Sequence, residues 1–481
     1  MKRGAGLLVH ITSLPDAVGY GCFSKEAFSF VDFLSNANLK YWQILPLGPI
    51  DEVGSPYNNQ SFYAIDPMHI CLEEYFSVDE LSKKGLSKKI TLSEYKKIKF
   101  EILREIYAKQ TKKTLSKTFA EKNKSWLDDY ATFMTLQKVL KCAYEDFPLE
   151  YKDKNSSAVR KIIRQEKDEI NFHKFTQELA FSQWKKIKNY ANKKGIVVIG
   201  DAPFYPSSSS DSVWAEPQYY QIENNKFKYV SGVPADYFNP DGQVWNTPVY
   251  NIKKIKEENC DFVVKRYLHL ANLYDFTRID HFRGLDAFYK IPADKPLAKF
   301  GKWEKGLGFE LFKKFKENKI TNLICEDLGK IDEKVLSLKE KTKLPGMKVF
   351  QFAFDGNTKN PFLPNLFEKN CVAYLGTHDN DTFCGFLKNE GENTKKLVLK
   401  TLNLYEGSTD EQICYSAINS MLSSNADVVI LTPQDILCQG TKARMNEPGT
   451  TKNNWQYVMP KKIYSKSIID YLTSSTRQYN R

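Results

Sequence analysis

The sequence lacks any apolar run of about 18 residues, the length that a membrane-spanning helix needs. It also shows no signal peptide of ordinary length, because residues 1–6 lead directly into the short apolar run 7–10. We therefore expect a soluble protein in the cytoplasm.

Closely spaced cysteines are absent from the sequence as well. The nine cysteines lie far apart, with no CxxC pair and no repeated spacing. An odd and dispersed set argues against a disulfide framework and indicates a reducing compartment. The histidines and aspartates match no zinc motif either. We expect no metal ion.

Neither sign of charge dominates strongly. The chain carries 70 lysines and arginines against 58 aspartates and glutamates, for a net charge of +12, which raises the question of nucleic-acid binding. The lysines are spread thinly, however, and their densest region, 83–124, is typical of the polar faces of helices. We predict no nucleic-acid partner; a monomer and a homodimer both stay open.

Eight short runs are rich in apolar, β-branched and aromatic residues, a pattern typical of strands that are covered on both faces. They are 7–10, 41–45, 196–200, 274–280, 322–326, 347–352, 371–376 and 427–432. Helical patterns lie between them, for example at 26–37, 171–193, 257–273, 307–317, 331–341 and 408–424. This alternation predicts an α/β fold, a (β/α)8 TIM barrel. An open doubly wound sheet is the competitor, but no glycine-rich loop follows the first run.

Two connections are much longer than a barrel loop needs. The connection at 50–170, after the second strand, becomes rich in lysine and glutamate and is predicted to be mainly helical. The connection at 201–256, after the third strand, is rich in serine, proline, tryptophan and tyrosine. Both leave from the face where barrels build active sites, so we expect them to wall a cleft in one catalytic domain over 1–481. We expect no C-terminal β-sandwich domain.

Carboxylates stand at the ends of four predicted strands, at Asp201, Asp280, Glu326-Asp327 and His378-Asp379. Burying a carboxylate is costly unless something pairs with it or uses it. Four of them on one rim therefore indicate chemistry on a group that becomes positively charged. Cleavage of a glycosidic bond meets this description, because its transition state resembles an oxocarbenium ion flanked by two carboxyl groups.

The stretch 274–284 suggests a nucleophile. Arg278 and Asp280 point to the same side of an extended strand, and an adjacent guanidinium keeps a carboxylate ionised. Glu326 follows apolar residues, a setting that favours a raised pKa and a role as proton donor. The hypothesis is that Asp280 attacks the anomeric carbon while Glu326 protonates the leaving group. His378 and Asp379 would then hold sugar hydroxyls.

Each of these residues also has a purely structural interpretation. A single Arg–Asp pair at a strand end is usually an ion pair. His281 and His378 alone would be hydrogen-bonded structural residues, and the aromatic side chains alone would be packing. Those aromatic residues are Tyr57, Trp245 and Trp455. The recurrence of acids around one rim favours chemistry.

Longer motifs accompany these residues. They are His10-Ile-Thr-Ser-Leu-Pro15, Trp42-Gln-Ile-Leu-Pro-Leu-Gly-Pro49, Ser55-Pro-Tyr57, Gly200-Asp-Ala-Pro203, Asp211-Ser-Val-Trp-Ala215, Gly232-Val-Pro-Ala-Asp-Tyr-Phe238, Gly242-Gln-Val-Trp245, Arg278-Ile-Asp-His-Phe-Arg-Gly284, Glu326-Asp-Leu-Gly329, Gly376-Thr-His-Asp-Asn-Asp-Thr382 and Ala443-Arg-Met-Asn-Glu-Pro-Gly-Thr450. Over nearly its whole length the chain resembles the 4-alpha-glucanotransferases (amylomaltases, or disproportionating enzymes), a family related to the α-amylase superfamily.

The resemblance implies a retaining transfer of an α-1,4-glucan segment from a donor maltodextrin to the 4-hydroxyl of an acceptor glucan or of glucose, through a covalent glucosyl–Asp intermediate. It implies that Asp280 is the nucleophile, Glu326 the acid/base and Asp379 the stabiliser of the transition state. It further implies that no cofactor takes part and that Tyr57, Asp201, Trp245, Arg278, His281, His378 and Asn446 contact the substrate.

Two other functions stay open at this point. An α-1,4-glucan hydrolase of the amylase type shares the covalent intermediate but lets water attack it. Long insertions that exclude water favour transfer instead. A non-catalytic glucan-binding barrel would require a lost acid, yet Asp280, Glu326 and Asp379 are all present.

Overall fold

Eight parallel strands form the central sheet in this computed structural model, which describes residues 1–50, 54–87, 90–111, 115–235, 241–329 and 331–481. In chain order they are β1 (Gly4–Leu8), β2 (Tyr41–Gln43), β3 (Val197–Ala202), β4 (Phe276–Ile279), β5 (Leu323–Cys325), β6 (Gly346–Val349), β7 (Cys371–Tyr374) and β8 (Val428–Leu431). Hydrogen bonds join them in the order β5–β4–β3–β2–β1–β8–β7–β6. At the seam between β5 and β6, the Cys325 N–H donates to the Pro345 carbonyl at 2.9 Å. The predicted barrel is confirmed.

All eight strands have at least one boundary that differs from the prediction, by up to three residues. β1 begins at Gly4 rather than at residue 7, because it pairs with β8 from Gly4 opposite Val428. Within β1, a Cβ on Gly6 would lie 2.2 Å from the carbonyl oxygen of Tyr41 in β2, so this close approach needs glycine. β7 ends at Tyr374, so the residues predicted at its end lie on the loop that follows it.

Helices surround the barrel. Those that follow the strands and pack around it are Lys25–Asn36, Lys167–Lys193, Asp261–Leu273, Phe309–Glu317, Glu333–Thr342, Asp410–Ser423 and Lys466–Gln478. Shorter helices lie in the loops: Asp211–Ala215, Ile252–Glu257, Arg283–Asp286, Phe383–Asn389, Gly391–Thr401 and Pro433–Ile436. β6 leads into two 3-10 turns, Phe350–Ala353 and Pro364–Leu366.

Two apolar layers hold the barrel to its helices. Side chains alternate along each strand, so one set fills the barrel and the other faces the helices. The strand residues of the inner set are Leu8, Tyr41, Ile199, Ile324, Met347, Val349, Val372, Tyr374, Val428 and Ile430. On the outer face of β2, Trp42 packs edge-on against Phe30 and Trp184, at ring-centroid distances of 5.2 and 6.3 Å.

The described residues between β2 and the helix Lys167–Lys193 are mostly helical. Their helices are Val78–Lys83, Leu92–Ala108, Lys117–Asn123, Leu127–Leu140, Leu149–Lys152 and Ser157–Gln165. Capping boxes at Ser77 and Thr91 begin the first two. The buried Glu169 links three helices, because its carboxylate accepts hydrogen bonds from Arg104 and Lys138, at 2.7 and 2.6 Å.

A second, antiparallel sheet lies beside the barrel, and the sequence did not predict it. Its strands, in spatial order, are Lys302–Lys305, Ala287–Pro292, Tyr229–Val233 and Gln243–Pro248. The sheet therefore joins the segment after β3 to the segment after β4. The family-like loop 232–245 ends on one of these strands; its residues 236–240 lie outside the described residues.

The segment after β8 contains helices and turns. Residues 433–481 are all described and contain no strand. In the part of the chain that the structure describes, no helix has the length and apolarity needed to cross a membrane.

Candidate active site

Asp280 and Glu326 leave the barrel side by side. β4 and β5 pair in register up to Ile279 opposite Cys325, so the next residue of each strand is one of the two acids. The Glu326 N–H continues this pairing, because it donates to the Ile279 carbonyl at 3.1 Å. Both acids therefore lie at the C-terminal end of the barrel, next to Asp201 on the adjacent strand β3.

A buried guanidinium connects two of the acids. Nη1 of Arg278 donates to Oδ1 of Asp201 at 2.8 Å and to Oδ1 of Asp280 at 2.9 Å. The Tyr57 hydroxyl donates to the other oxygen of Asp201 at 2.7 Å. The Asp201 side chain is completely buried, whereas 26% of the Asp280 side chain is exposed. Asp201 thus anchors the arginine, and the predicted contact of Arg278 with Asp280 is present.

Burial opposes the positive charge of Arg278, but Asp201, Tyr57 and Asp280 outweigh it and raise the pKa of Arg278 well above its usual value. Burial also raises the pKa of the Tyr57 phenol well above its usual value, so this hydroxyl stays a hydrogen-bond donor. The arginine is therefore charged throughout the accessible pH range and holds a fixed positive charge beside Asp280.

Glu326 lies in a different environment. Burial is the main cause that raises the pKa of Glu326 to about 8, and the neighbouring Asp280 adds to it, although Arg278 opposes the shift. The Glu326 carboxyl accepts hydrogen bonds from the backbone N–H groups of His281 and Leu328, at 2.8 and 3.0 Å. The direction of the shift is the one that its apolar setting predicts.

The backbone at His281 is unusual. Its φ angle is +49°, a left-handed conformation that non-glycine residues seldom adopt. This conformation directly follows Asp280, and the His281 N–H bonds Oε2 of Glu326. The turn therefore joins the two acids through one hydrogen bond.

Asp379 is held from several sides. Oδ1 accepts a hydrogen bond from the Asn446 amide at 2.7 Å, and Oδ2 lies 3.3 Å from Nε2 of His378. Arg444 donates to the Asp379 carbonyl at 2.8 Å. Burial alone would raise the pKa of Asp379, but His378, Asn446 and the charge of Arg278 outweigh burial and hold its pKa well below the usual range. The carboxylate is ionised at neutral pH.

Aromatic rings connect the two sides of the rim. Tyr57 stacks on His378 with ring centroids 5.1 Å apart and an interplanar angle of 14°. Trp455 lies 6.0 Å from both rings. Since Tyr57 also bonds Asp201, a continuous path of contacts runs from Asp280 to Asp379.

A second group of rings contains His281 and Trp245. Trp245, on the strand Gln243–Pro248, meets the His281 ring edge-on at 5.0 Å. Burial lowers the pKa of His281 to about 4, so this imidazole is neutral at pH 7. Within the described part of the chain, Nε2 of His281 and Nδ1 of His378 are buried ring nitrogens without a hydrogen-bond partner.

All residues predicted for the site are joined by contacts at this end of the barrel. Two members, Trp455 and Arg444, were not among the predicted catalytic or substrate-binding residues. Trp455 had no signal beyond its aromatic character, because it becomes part of the site only by packing on Tyr57 and His378. Arg444 lies inside the family-like motif 443–450, so that motif was the available signal.

The fold and the rim of acids define a barrel enzyme of the amylomaltase type. The amylomaltase from Streptococcus agalactiae in complex with acarbose superposes with a TM-score of 0.94, at 31% identity, over 100% of both chains. The family model of the 4-alpha-glucanotransferases matches residues 9–463.

Curated relatives agree with this class. The 4-alpha-glucanotransferase of Clostridium butyricum is 37% identical over 98% of this chain and 100% of its own length. That of Aquifex aeolicus is 35% identical over 95% of each chain. The chain belongs to the 4-alpha-glucanotransferase family and has its transferase activity, so the amylase-type hydrolase is not favoured.

Replacement of Arg278 by methionine tests the buried ion pair. R278M leaves Asp201 buried without its cation, which should lower the free energy of unfolding by about 3–5 kcal/mol. The double variant D201N/R278M should recover part of this loss, because it removes the stranded charge. The measurement is thermal unfolding, and K314M, at the exposed pair of Lys314 with Glu317, is the control that should change little. An R278M protein as stable as the wild type would contradict the anchoring role.

Proposed function

We propose that the chain transfers α-1,4-glucan segments in two steps, through a covalent bond between Asp280 and the anomeric carbon, with retention of configuration. The observation that carries this proposal is the hydrogen bond of 2.8 Å from the His281 N–H to Oε2 of Glu326. This hydrogen bond holds the Glu326 carboxyl group, whose pKa is raised, beside the Asp280 carboxylate, which is paired with the positively charged Arg278. Acid and nucleophile thus have the environments that their roles require.

In the first step, Asp280 attacks the anomeric carbon of the donor glucan as the glycosidic bond breaks. Glu326 gives its proton to the departing 4-oxygen, so that the leaving chain ends in a free 4-hydroxyl. In the second step, the ionised Glu326 removes the proton from the 4-hydroxyl of an acceptor. That oxygen attacks the anomeric carbon and restores the Asp280 carboxylate.

Asp379 stabilises the positive charge that develops on the sugar ring between these states. Its low pKa keeps it ionised, and Asn446 and His378 fix the direction of its oxygens. The ring nitrogens of His281 and His378 that lack partners among the described residues donate to or accept from sugar hydroxyls. No metal ion or cofactor enters these steps.

The rings at the two sides of the rim provide surfaces for sugar faces. Trp245 lies on the side of His281, and Tyr57 and Trp455 lie on the side of His378. The related amylomaltase from Streptococcus agalactiae was solved in complex with acarbose. By analogy we assign maltodextrins, glycogen or starch chains and glucose as the substrates.

The segments 50–170 and 201–256 are proposed to wall the cleft and to limit access of water. An acceptor glucan then competes successfully with water for the covalent intermediate. We assign the protein to the cytoplasm, where its nine cysteines would stay reduced. A monomer or a homodimer is compatible with a site formed by one chain.

Incubation with maltotriose distinguishes transfer from hydrolysis. Transfer should produce glucose together with a ladder of maltodextrins longer than the substrate, because each covalent segment is passed to another chain. Chromatography of the products over time makes the measurement. Accumulation of maltose and glucose without longer products would contradict transfer.

Replacement of Asp280 by asparagine tests the nucleophile. D280N should lower the rate on maltotriose by at least about 10³-fold, since the amide cannot form the covalent bond. Its melting temperature should stay close to that of the wild type, because the amide oxygen still accepts from Arg278. D327N is the matched control: Asp327 accepts from Lys339 and from the Met347 N–H, at 2.6 and 2.7 Å, so its loss should reduce stability more than turnover. Retained turnover in D280N would rule out this assignment.

The pH dependence tests Glu326. The acid must be protonated to act, and its pKa of about 8 means that the proton is present at neutral pH and lost as the pH rises through that value. We therefore expect kcat/KM to fall with rising pH above about 8. E326Q should lose activity on maltotriose but still release a burst of about one fluoride ion per chain from maltosyl fluoride, because fluoride leaves without a proton while the second step still lacks its base. An E326Q variant equally inactive on both donors would contradict the role of Glu326 as acid.

A further inference from the structure

Three cysteines that are remote in the sequence converge behind the loop that carries Asp379. The sulfur atoms of Cys384, Cys414 and Cys438 all lie within 4.8 Å of one another. Sγ of Cys384 is 3.1 Å from Sγ of Cys414. All three are free thiols; Cys384 and Cys414 are buried and Cys438 is half-buried.

Separate elements contribute the three side chains. Cys384 lies on the helix Phe383–Asn389, Cys414 on the helix Asp410–Ser423, and Cys438 just after the helix Pro433–Ile436. These intervals match no metal-binding spacing, so the sequence alone contained no signal for the group. Only the packing of the helices after β7 and β8 brings the sulfurs together.

We propose that Cys384, Cys414 and Cys438 form a binding site for one soft metal cation, with Cu(I) as the ion that they fit. Thiolate sulfur is the ligand that selects Cu(I) and zinc over harder ions. Metal–sulfur bonds of about 2.3 Å place three sulfurs about 4 Å apart around a central ion. One sulfur pair is 3.1 Å apart and no pair is more than 4.8 Å apart, so the three sulfurs already lie near this spacing.

The number of ligands decides between the two soft ions. Among the described residues, the group of His, Cys, Asp and Glu ligand atoms within 4.8 Å consists of these three sulfurs. Zinc takes four ligands in structural sites. A monovalent ion that accepts three sulfurs matches the site better.

The surrounding charges also suit a cation bound by thiolates. Lys388, one turn after Cys384 on the same helix, lies within electrostatic reach of the Cys384 and Cys414 sulfurs and offsets their negative charge. Lys388 also pairs with Asp410 at 3.2 Å. Glu411 and Asp435 contribute negative charge near Cys438, so a bound positive charge is favourable there.

A bound ion would join two segments that already touch. The Phe383 N–H donates to Oδ1 of Asp435 at 2.8 Å, which links the start of the helix of Cys384 to the segment that leads to Cys438. Binding to the folded state alone raises the stability by mass action. Metal binding should therefore raise the melting temperature.

Anaerobic titration of the reduced full-length protein with Cu(I), in competition with a chromogenic Cu(I) chelator, tests the site. The wild type should retain one copper ion per chain, and its melting temperature should rise. C438S should bind Cu(I) at least about 100-fold more weakly. Loss of a residue that only hydrogen-bonds a metal ligand already costs up to about 100-fold in metal affinity, and C438S removes a ligand itself. C142S is the matched control, since Cys142 is also a half-buried free thiol but lies outside the group. It should bind copper like the wild type.

Three results would overturn the proposal. The first is copper retention by the wild type no greater than that by C438S. The second is an equal loss of copper in C142S. The third is a disulfide among the three cysteines in the anaerobic protein, found by thiol titration. C384A provides a second test if C438S does not fold, and turnover of maltotriose by each metal-free variant confirms that its barrel is intact.

Discussion

The buried guanidinium of Arg278 is the constraint on which the site depends. It donates hydrogen bonds to Asp201 and Asp280 through one nitrogen, and the Tyr57 hydroxyl donates another hydrogen bond to Asp201. A buried cation of this kind is stable only with its partners in place. The arrangement therefore fixes the position of Asp280 while leaving 26% of its side chain exposed.

The barrel makes this arrangement possible because parallel strands end at the same face. Pairing of β3, β4 and β5 in register brings three acids to adjacent positions of one rim. The fourth acid, Asp379, lies on the loop after β7 and reaches the site through His378, which stacks on Tyr57. The barrel thus determines the rim, and local contacts determine the direction of each side chain.

The carboxyl groups have different protonation states for identifiable reasons. Burial and the charge of Asp280 raise the pKa of Glu326 to about 8. At Asp379, His378 and Asn446 outweigh burial and hold the pKa low. One small region can therefore contain both a proton donor and a permanent anion, which glycosyl transfer requires at the same pH.

The sequence by itself determined the fold class, the approximate positions of the eight strands and the acids at the rim. Buried strands appear in the sequence as short apolar runs, and an acidic residue at the end of such a run is easy to recognise. It also determined the family, through long motifs around those acids. Only the tertiary structure decided what depends on remote contacts: the antiparallel sheet that presents Trp245, the packing of Trp455 on His378, and the meeting of Cys384, Cys414 and Cys438. These features arise where separate elements pack together, and no local pattern encodes such a meeting.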